Sequence, residues 1–448
     1  MVRPVLRLGL VLCAAFSAAA AIGQSPPPAP AAVPPPPLAP AAALAPGSMF
    51  RADPAHTGQY ASPPITAVRA QLWRLQAQDG IESSPAVAGG LVFVGSNDDH
   101  LYAIEAATGQ QRWRFRAKND VSCSPAAADG LVFVGSDDGN LYALDAATGM
   151  EKWRYKTGGD VNSSPAACAG LVFFGSDDKH LYCLDARAGV EKWRLKTRKG
   201  IKGSPAAAGG LVYVAGEGGE VYAVDAIAGT ERWWFKAQKG IIGSPVAAEG
   251  ILYVGDDGGN LYALDAATGQ QKGLFKADKG IQTSPAFAAG LLYFGDNDGA
   301  FYAIDVAAGQ IKWRAKAQKA VRSSAAVAGG MVYFGSDDGC LYALDAATGE
   351  QRWKFRAAAA VRSSPAVSGG VLFFGDDKGG VYALSGAEPP PPPAAPAPAP
   401  AAPPSALPPP PPPPVAPSAL PPPSAPAPPA PPATSLVPLA PLVPPAPP

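Results

Sequence analysis

Residues 81–120 read IESSPAVAGGLVFVGSNDDHLYAIEAATGQQRWRFRAKND, and close copies of the same forty residues follow in register up to residue 385. The dipeptide Ser84-Pro85 recurs as Ser124-Pro125, Ser164-Pro165, Ser204-Pro205, Ser244-Pro245, Ser284-Pro285 and Ser364-Pro365, with Ser324-Ala325 as the variant in register. A second marker keeps the period: Trp73, Trp113, Trp153, Trp193, Trp233, Trp313 and Trp353, with Gly273 in the remaining slot. Self-similarity at a fixed period marks a repeat architecture whose units share their core with their neighbours.

Within one repeat, Ser83 to Ala88 reads as a short strand of small residues closed by the turn Gly89-Gly90. Leu91 to Gly95 is a β-branched and aromatic run, hence a buried strand. Asn97-Asp98-Asp99 makes a hairpin turn that becomes Asp-Gly at Asp138-Gly139, Asp298-Gly299 and Asp338-Gly339. Leu101 to Ile104 is a third strand and Ala106 to Gly109 the next turn. Gln111 to Ala117 then alternates, with Trp113 and Phe115 on one face and Arg112, Arg114 and Arg116 on the other, which predicts a half-buried outer strand.

Four antiparallel strands per forty residues without a helical pattern predict an all-β fold, a single β-propeller of four-stranded antiparallel blades. The coils of a β-solenoid are too short for this repeat, and no Gly-His…Trp-Asp signature is present. Phase gives the blade count. Eight inner-strand units run from Ser84 to Ser364, while the first tryptophan strand, around Trp73, precedes any complete blade, and none follows Ser385. The N-terminal strand is therefore expected to complete the last of eight blades and close the ring, which removes the open edge.

The flanks divide the rest of the chain. Residues 1–23, with Arg3 and Arg7 before an apolar run, have the order of a secretory signal peptide. That run is too short to cross a bilayer, and Leu12 before Cys13 is a poor lipoprotein site. Residues 24–48 are a Pro/Ala-rich linker, 49–68 a lead-in segment, 69–386 the propeller, and 387–448 a Pro/Ala-rich tail; both Pro/Ala-rich flanks have the composition of disordered, extended chain. Lys+Arg and Asp+Glu both total 36, so the basic excess of a nucleic-acid binder is absent. Outside the leader, Cys123, Cys168, Cys183 and Cys340 occupy unrelated slots and are expected as free thiols. A monomer in the periplasm or cell envelope is expected.

Slots that repeat have structural readings. The tryptophans are docking residues that pin blade to blade. Glu105, Asp145, Asp185, Asp225, Asp265, Asp305 and Asp345 accept from the amides of the turn that follows. The basic slot Arg116, Lys156, Lys196, Lys236, Lys276, Lys316 and Arg356 forms a solvated belt on the outer wall. Slots that vary are the candidates for binding. The residue two before the repeated serine runs Glu82, Ser122, Asn162, Lys202, Ile242, Gln282, Arg322 and Arg362. It lies where the chain crosses to the next inner strand and is expected at the channel rim. Glu82, Asn162, Lys202, Gln282, Arg322 and Arg362 are the binding candidates, with Arg322 and Arg362 disposed to clamp a carboxylate. Glu82 and Asn162 are too few oxygens for a Ca²⁺ site. His56, His100 and His180 form no metal or catalytic constellation, and no catalytic residue is expected.

The run Leu141-Tyr142-Ala143-Leu144-Asp145-Ala146-Ala147-Thr148-Gly149…Trp153 resembles the tryptophan-docking motif of pyrroloquinoline-quinone (PQQ)-like propellers. Met49 to Gly58 (MFRADPAHTG) resembles the lead-in of stand-alone members. The resemblance implies the propeller fold and two functional branches. One is the quinoprotein dehydrogenases, which bind PQQ and Ca²⁺ and oxidise alcohols or sugars. The other is non-catalytic envelope scaffolds of the BamB type, which bind proteins. Function lives in sites grafted on a fold, and the departures here favour the scaffold branch. No Cys-Cys pair occurs, no blade carries an insertion, and the tryptophans stand in the outer docking slot except Trp234, on the arginine face of the same strand. The expectation is a protein- or peptide-binding scaffold without a cofactor, with a PQQ/Ca²⁺-dependent dehydrogenase as the alternative.

Overall fold

Each apolar run pairs with its neighbour to make a four-stranded antiparallel sheet, and the described residues, 49–387 of a computed structural model, hold eight such sheets built from strands β1 to β32. The leader 1–23, the linker 24–48 and the tail from residue 388 lie outside the described residues. In blade 1, β2 (Ala86–Ala88), β3 (Leu91–Gly95), β4 (His100–Glu105) and β5 (Gln111–Arg116) run from the axis outward. Blade 8 takes its outermost strand from the other end of the chain: β1 (Ala70–Gln76) pairs with β32 (Gly380–Ser385), Arg74 opposite Tyr382. The ring closes as the phase of the repeats requires.

The core lies between blades. Phe93, Leu101 and Ala103 of blade 1 pack on Val132, Val134, Tyr142 and Leu144 of blade 2, and the pattern continues around the ring. Each tryptophan sits beside a register shift in its strand, between Ala103 and Ile104 on the facing strand of blade 1. A bulge of this kind re-aims a side chain. The indole crosses to the next blade: Trp73 Nε1 donates to Ala106 O (2.8 Å), Trp113 to Ala146 O (3.1 Å), Trp153 to Ala186 O (3.2 Å), Trp193 to Ala226 O, Trp233 to Ala266 O and Trp313 to Ala346 O. Gly109 shows why the turn ends in glycine. Its φ is +74°, and a Cβ there would lie 2.5 Å from the Trp73 ring. Trp353 has no such turn to dock on, because the chain leaves blade 8 after β32. It donates instead to Ile65 O (2.7 Å), so the lead-in supplies the missing acceptor.

The repeated serine has a different task. The Ser84 amide donates to Ser124 Oγ, Ser124 to Ser164, Ser164 to Ser204, Ser204 to Ser244, Ser244 to Ser284, Ser284 to Ser324, Ser324 to Ser364, and Ser364 back to Ser84, all at 2.8–3.1 Å. These eight bonds form a closed belt around the axis. The variant Ser324-Ala325 keeps the serine and therefore the belt.

The carboxylates before the turns accept turn amides, as in Ala188 N to Asp185 Oδ1 at 2.9 Å. The basic slot does more than face solvent, because Lys156, Lys236, Lys276, Lys316 and Arg356 reach back to carbonyls of their own blade's hairpin turn. The four cysteines are buried and free.

Two substitutions separate belt from docking. Ser164→Ala leaves the buried Ser124 amide without its acceptor and is expected to cost about 1–3 kcal/mol. Trp113→Ala opens a cavity between blades 1 and 2 and is expected to cost about 3–5 kcal/mol. Urea unfolding midpoints of the two variants against the parent check both values.

Candidate functional site

The axial channel has two ends, and the chain treats them oppositely. At the end nearest the inner hairpins, the lead-in enters the channel. Carbonyls of Pro54, Ala55, Thr57 and Gly58 accept the amides of Ala207, Ala247, Phe287 and Val327, one from each innermost strand of blades 4 to 7. Inner-strand amides that point at the axis have no neighbouring strand, so this segment satisfies donors that burial would otherwise penalise. Arg51, 3% exposed, donates through Nη1 to Ala325 O and through Nη2 to Pro285 O. Burial pulls its pKa down to about 10, against the opposing pull of Tyr60 and Asp53, so it stays charged at neutral pH. His56 is also buried, and burial followed by the Arg51 charge pushes its pKa down to about 3, so it is neutral. Met49 is buried as part of the core cluster of blades 2 and 3. The lead-in is a plug.

The opposite mouth carries the varying slot. All eight of its residues stand there, one per blade, at least partly exposed. They meet a second ring, the hairpin-turn residues Asn97, Asp137, Asp177, Glu217, Asp257, Asn297, Asp337 and Asp377, six of them acids. Contacts between the two rings divide the mouth in half. Across blades 4 to 8, cations or an amide meet acids. Lys202 pairs with Glu217 (2.9 Å) and Gln282 donates to Asp257 (3.1 Å). Arg322 reaches Asp337 (3.5 Å), and Arg362 reaches Asp337 (3.1 Å), Asp377 (3.1 Å) and Glu82 (3.6 Å). Arg322 and Arg362 do converge on one carboxylate, and it is the chain's own Asp337.

Across blades 2 and 3, among the described residues, no cation pairs directly with Asp137 or Asp177, and Lys202 acts on Asp177 only through its charge. Ser122 Oγ lies 3.3 Å from Asp137 Oδ1 and 3.1 Å from Asn162 Oδ1. Burial, reinforced by the charges of Asp160, Asp120 and Asp177, raises Asp137 to about 6. Asp120 is raised too, by partial burial and by the charges of Asp99 and Asp79. Two adjacent crossover slots beside this ring repeat the division: Asp79 leads into blade 1 and, one position later in the repeat, Asp120 and Asp160 lead into blades 2 and 3, whereas Lys199, Lys239, Lys279 and Lys319 share the slot of Asp79 and lead into blades 4 to 7. One side of the mouth is acidic, and the other pairs its acids with cations and adds the crossover lysines, around a channel sealed below.

The remaining candidates are local. His100 and His180 fold back onto their own turns, with Nδ1 3.2 Å from Asp98 and Asp178 carboxylate oxygens. Trp234 stands 44% exposed on the outer wall under the Arg198 guanidinium, 4.2 Å from ring centre. Among the described residues no group of three or more His, Cys, Asp and Glu is placed to hold a metal ion, and no helix is long and apolar enough to cross a membrane.

The raised Asp137 has a measurable consequence. Its folded pKa near 6 exceeds the unfolded value of about 3.9, so the native state binds more protons and stability falls as pH rises between about 4 and 6. Asp137→Asn removes that loss. The variant is expected to exceed the parent in urea midpoint at pH 7 and to match it at pH 4.

The sequence profile described as outer membrane protein assembly factor BamB matches residues 65–176, 177–320 and 297–388. No curated protein matches the chain. Among solved structures, a europium-containing methanol dehydrogenase is similar at 16% identity and TM-score 0.68, covering 76% of this chain and 98% of its own. The computationally designed Ika8 protein matches at 18% identity and TM-score 0.65, over 70% of this chain and 99% of its own. BamB from Moraxella catarrhalis matches at 18% identity and TM-score 0.63, also over 70% and 99%. An enzyme, a design and BamB thus share the fold alone. Three successive profile matches that together span 65–388 establish more: the chain belongs to the BamB-type family of PQQ-like repeat propellers.

Proposed function

We propose that this protein is a non-catalytic scaffold of the bacterial cell envelope that captures an extended, charged segment of a partner protein across the open mouth of its propeller. The observation that carries this reading is the division of the mouth, with Asp137 and Asp160 in no ion pair among the described residues on one side and Lys199, Lys239, Lys279 and Lys319 in the crossovers of the other. A segment carrying both charges is oriented by such a field, and a partner of either sign alone is repelled by half of it. Glu82, Asn162, Lys202, Gln282, Arg322 and Arg362 would line the contact. Membership of a family whose profile bears the BamB description favours an outer-membrane assembly role, acting as an exported monomer.

Dehydrogenase chemistry fits these residues poorly. The two mouth rings contribute no aromatic side chain on which a quinone ring would lie. The acids of the paired half are engaged by Lys202, Arg322 and Arg362 and do not converge as a set of cation ligands.

Photocrosslinkers placed at Glu82 and at Arg322, with Gln76 on the outer wall as control, test the proposal in cells. Recovery of one envelope protein from both rim positions and not from Gln76 is the expected outcome. Absence of any rim-specific protein would overturn it. Purified protein supplied with PQQ and Ca²⁺ is expected to leave a redox dye unreduced across alcohols and sugars, and turnover of any of them would favour the enzyme.

A further inference from the structure

The slot that holds Gly273 is the place where an indole is absent from a seat the fold otherwise builds. Six turns form the same seat: Gly109, Gly149, Gly189, Gly229, Gly269 and Gly349 each lie so close under a tryptophan that an added Cβ would be 2.5–2.6 Å from the ring. Above each glycine, a turn carbonyl accepts the indole N–H at 2.8–3.2 Å. Blade 6 presents the equivalent turn, Val306 to Gly309, to the outer strand of blade 5. Gly309 has the same positive φ, +65°, yet nothing lies within 4 Å of its Cβ position. At Gly273 an added Cβ would meet only Ala263, at 3.6 Å.

The consequence is a cavity of about 420 Å³ between blades 5 and 6, lined among others by Tyr253, Leu261, Phe275, Leu292, Val306 and Gly309. Val306 stands where the other seats have alanine or, at the lead-in, isoleucine, and so takes back part of the room without closing it. The polar part of the seat is kept. In neighbouring repeats the tyrosine at this position donates to the same turn carbonyl, Tyr213 to Ala266 O and Tyr293 to Ala346 O, both at 3.1 Å. Among the described residues Tyr253 Oη makes no hydrogen bond, which leaves a hydroxyl and the Val306 carbonyl beside an apolar slot.

We infer that the cavity between blades 5 and 6 is a binding site for a small planar aromatic ring bearing an N–H donor, the indole class. Its shape is that of a side chain this chain places in the same seat at other blades. The ring stacks over Gly309 between Tyr253, Leu292 and Phe275, and its N–H is directed at Val306 O. A partly open slot with aromatic and aliphatic walls and a few polar groups takes up a fitting aromatic by burying the apolar surface of both. The site lies on the outer wall between two blades, separate from the channel mouth, and does not depend on what the mouth binds.

Fluorine NMR of 5-fluoroindole titrated into the full-length protein tests the inference, together with thermal unfolding in the presence of indole. Saturable binding at one site is expected, with the unfolding midpoint rising by about 2–4 °C at indole tenfold above its dissociation constant. Gly273→Trp fills the seat and is expected to unfold at higher temperature and to lose binding. Trp153→Gly opens a second seat and is expected to bind two equivalents, which also shows that the assay detects such a site. No saturable binding to the parent while Trp153→Gly binds one equivalent would overturn the inference. So would undiminished binding to a folded Gly273→Trp.

Discussion

The belt of serine hydrogen bonds around the axis is the constraint on which the rest of this molecule depends. Each repeated serine is used twice, its amide giving a bond to one neighbour and its hydroxyl taking one from the other. The eighth bond, Ser364 to Ser84, joins residues 280 apart and makes the chain of bonds a circle. A circle has no end blade, so no serine amide at the axis is left to find water in a narrow space. The residue after the serine is proline in seven repeats, which pre-sets the turn of chain from crossover to inner strand and pushes the serine into extended backbone. Ala325 shows the order of importance. Proline can be lost there while Ser324 keeps both of its bonds.

Closure also explains why the lead-in does two jobs. A ring of eight blades with strand β1 lent to blade 8 lacks one turn, the one on which Trp353 would dock, and Ile65 stands in for it. The chain leading to that point must cross the face of the propeller, and it crosses through the channel. There the converging inner strands present unpaired amides and the carbonyls of Pro285 and Ala325. A backbone segment answers the amides, and a guanidinium answers the two carbonyls. Arginine suits that task because its donors are held in a fixed fork and its charge survives burial. The sealed end is thus a by-product of satisfying backbone groups, and it leaves one mouth for a partner.

What the sequence made legible and what it hid follow the same division between repeated and unrepeated contacts. The blade, its tryptophan and its ring closure were readable because each is a local pattern multiplied eightfold, and Trp73 before the first blade could belong only to the last. The acidic ring was not readable as a ring. Asp137 and its counterparts sit at the start of a hairpin turn, where aspartate and asparagine need no other explanation. Their approach to the rim slot is set by the fold, as in Ser122 to Asp137, fifteen residues on. An acid or amide in that position of every blade was the available signal. Arg322 and Arg362 misled for a related reason: sequence places them forty residues apart and says nothing of Asp337 lying between them.

Uniform blades sharpen the meaning of each exception. In a ring of near-copies, the forces that build one interface build all of them, so a slot can depart from the pattern only where the ring tolerates the loss. At Gly273 the strand still pairs, with Ala263 opposite and the same register shift beside it, so the backbone holds the seat open without the side chain that fills it elsewhere. Leaving the slot open to solvent forgoes the contacts that an indole makes there at other blades. Substituting Val306 for alanine recovers some contact, and Leu274, half exposed beside the gap, does not turn in to recover the rest. The asymmetry of the mouth has the same logic on the polar side. Symmetric blades would place like charges around a ring and repel one another, whereas here cations are set among the acids of blades 4 to 8, and Asp137 is left to burial and to the charges of Asp160, Asp120 and Asp177; even beside Arg362, Asp377 is raised to about 6 by burial and by Glu82, Asp337 and Asp376. Asp120 and Asp137 hold protons more tightly than free carboxylates, through burial first and neighbouring acids second, and a cation brought by another molecule would oppose both.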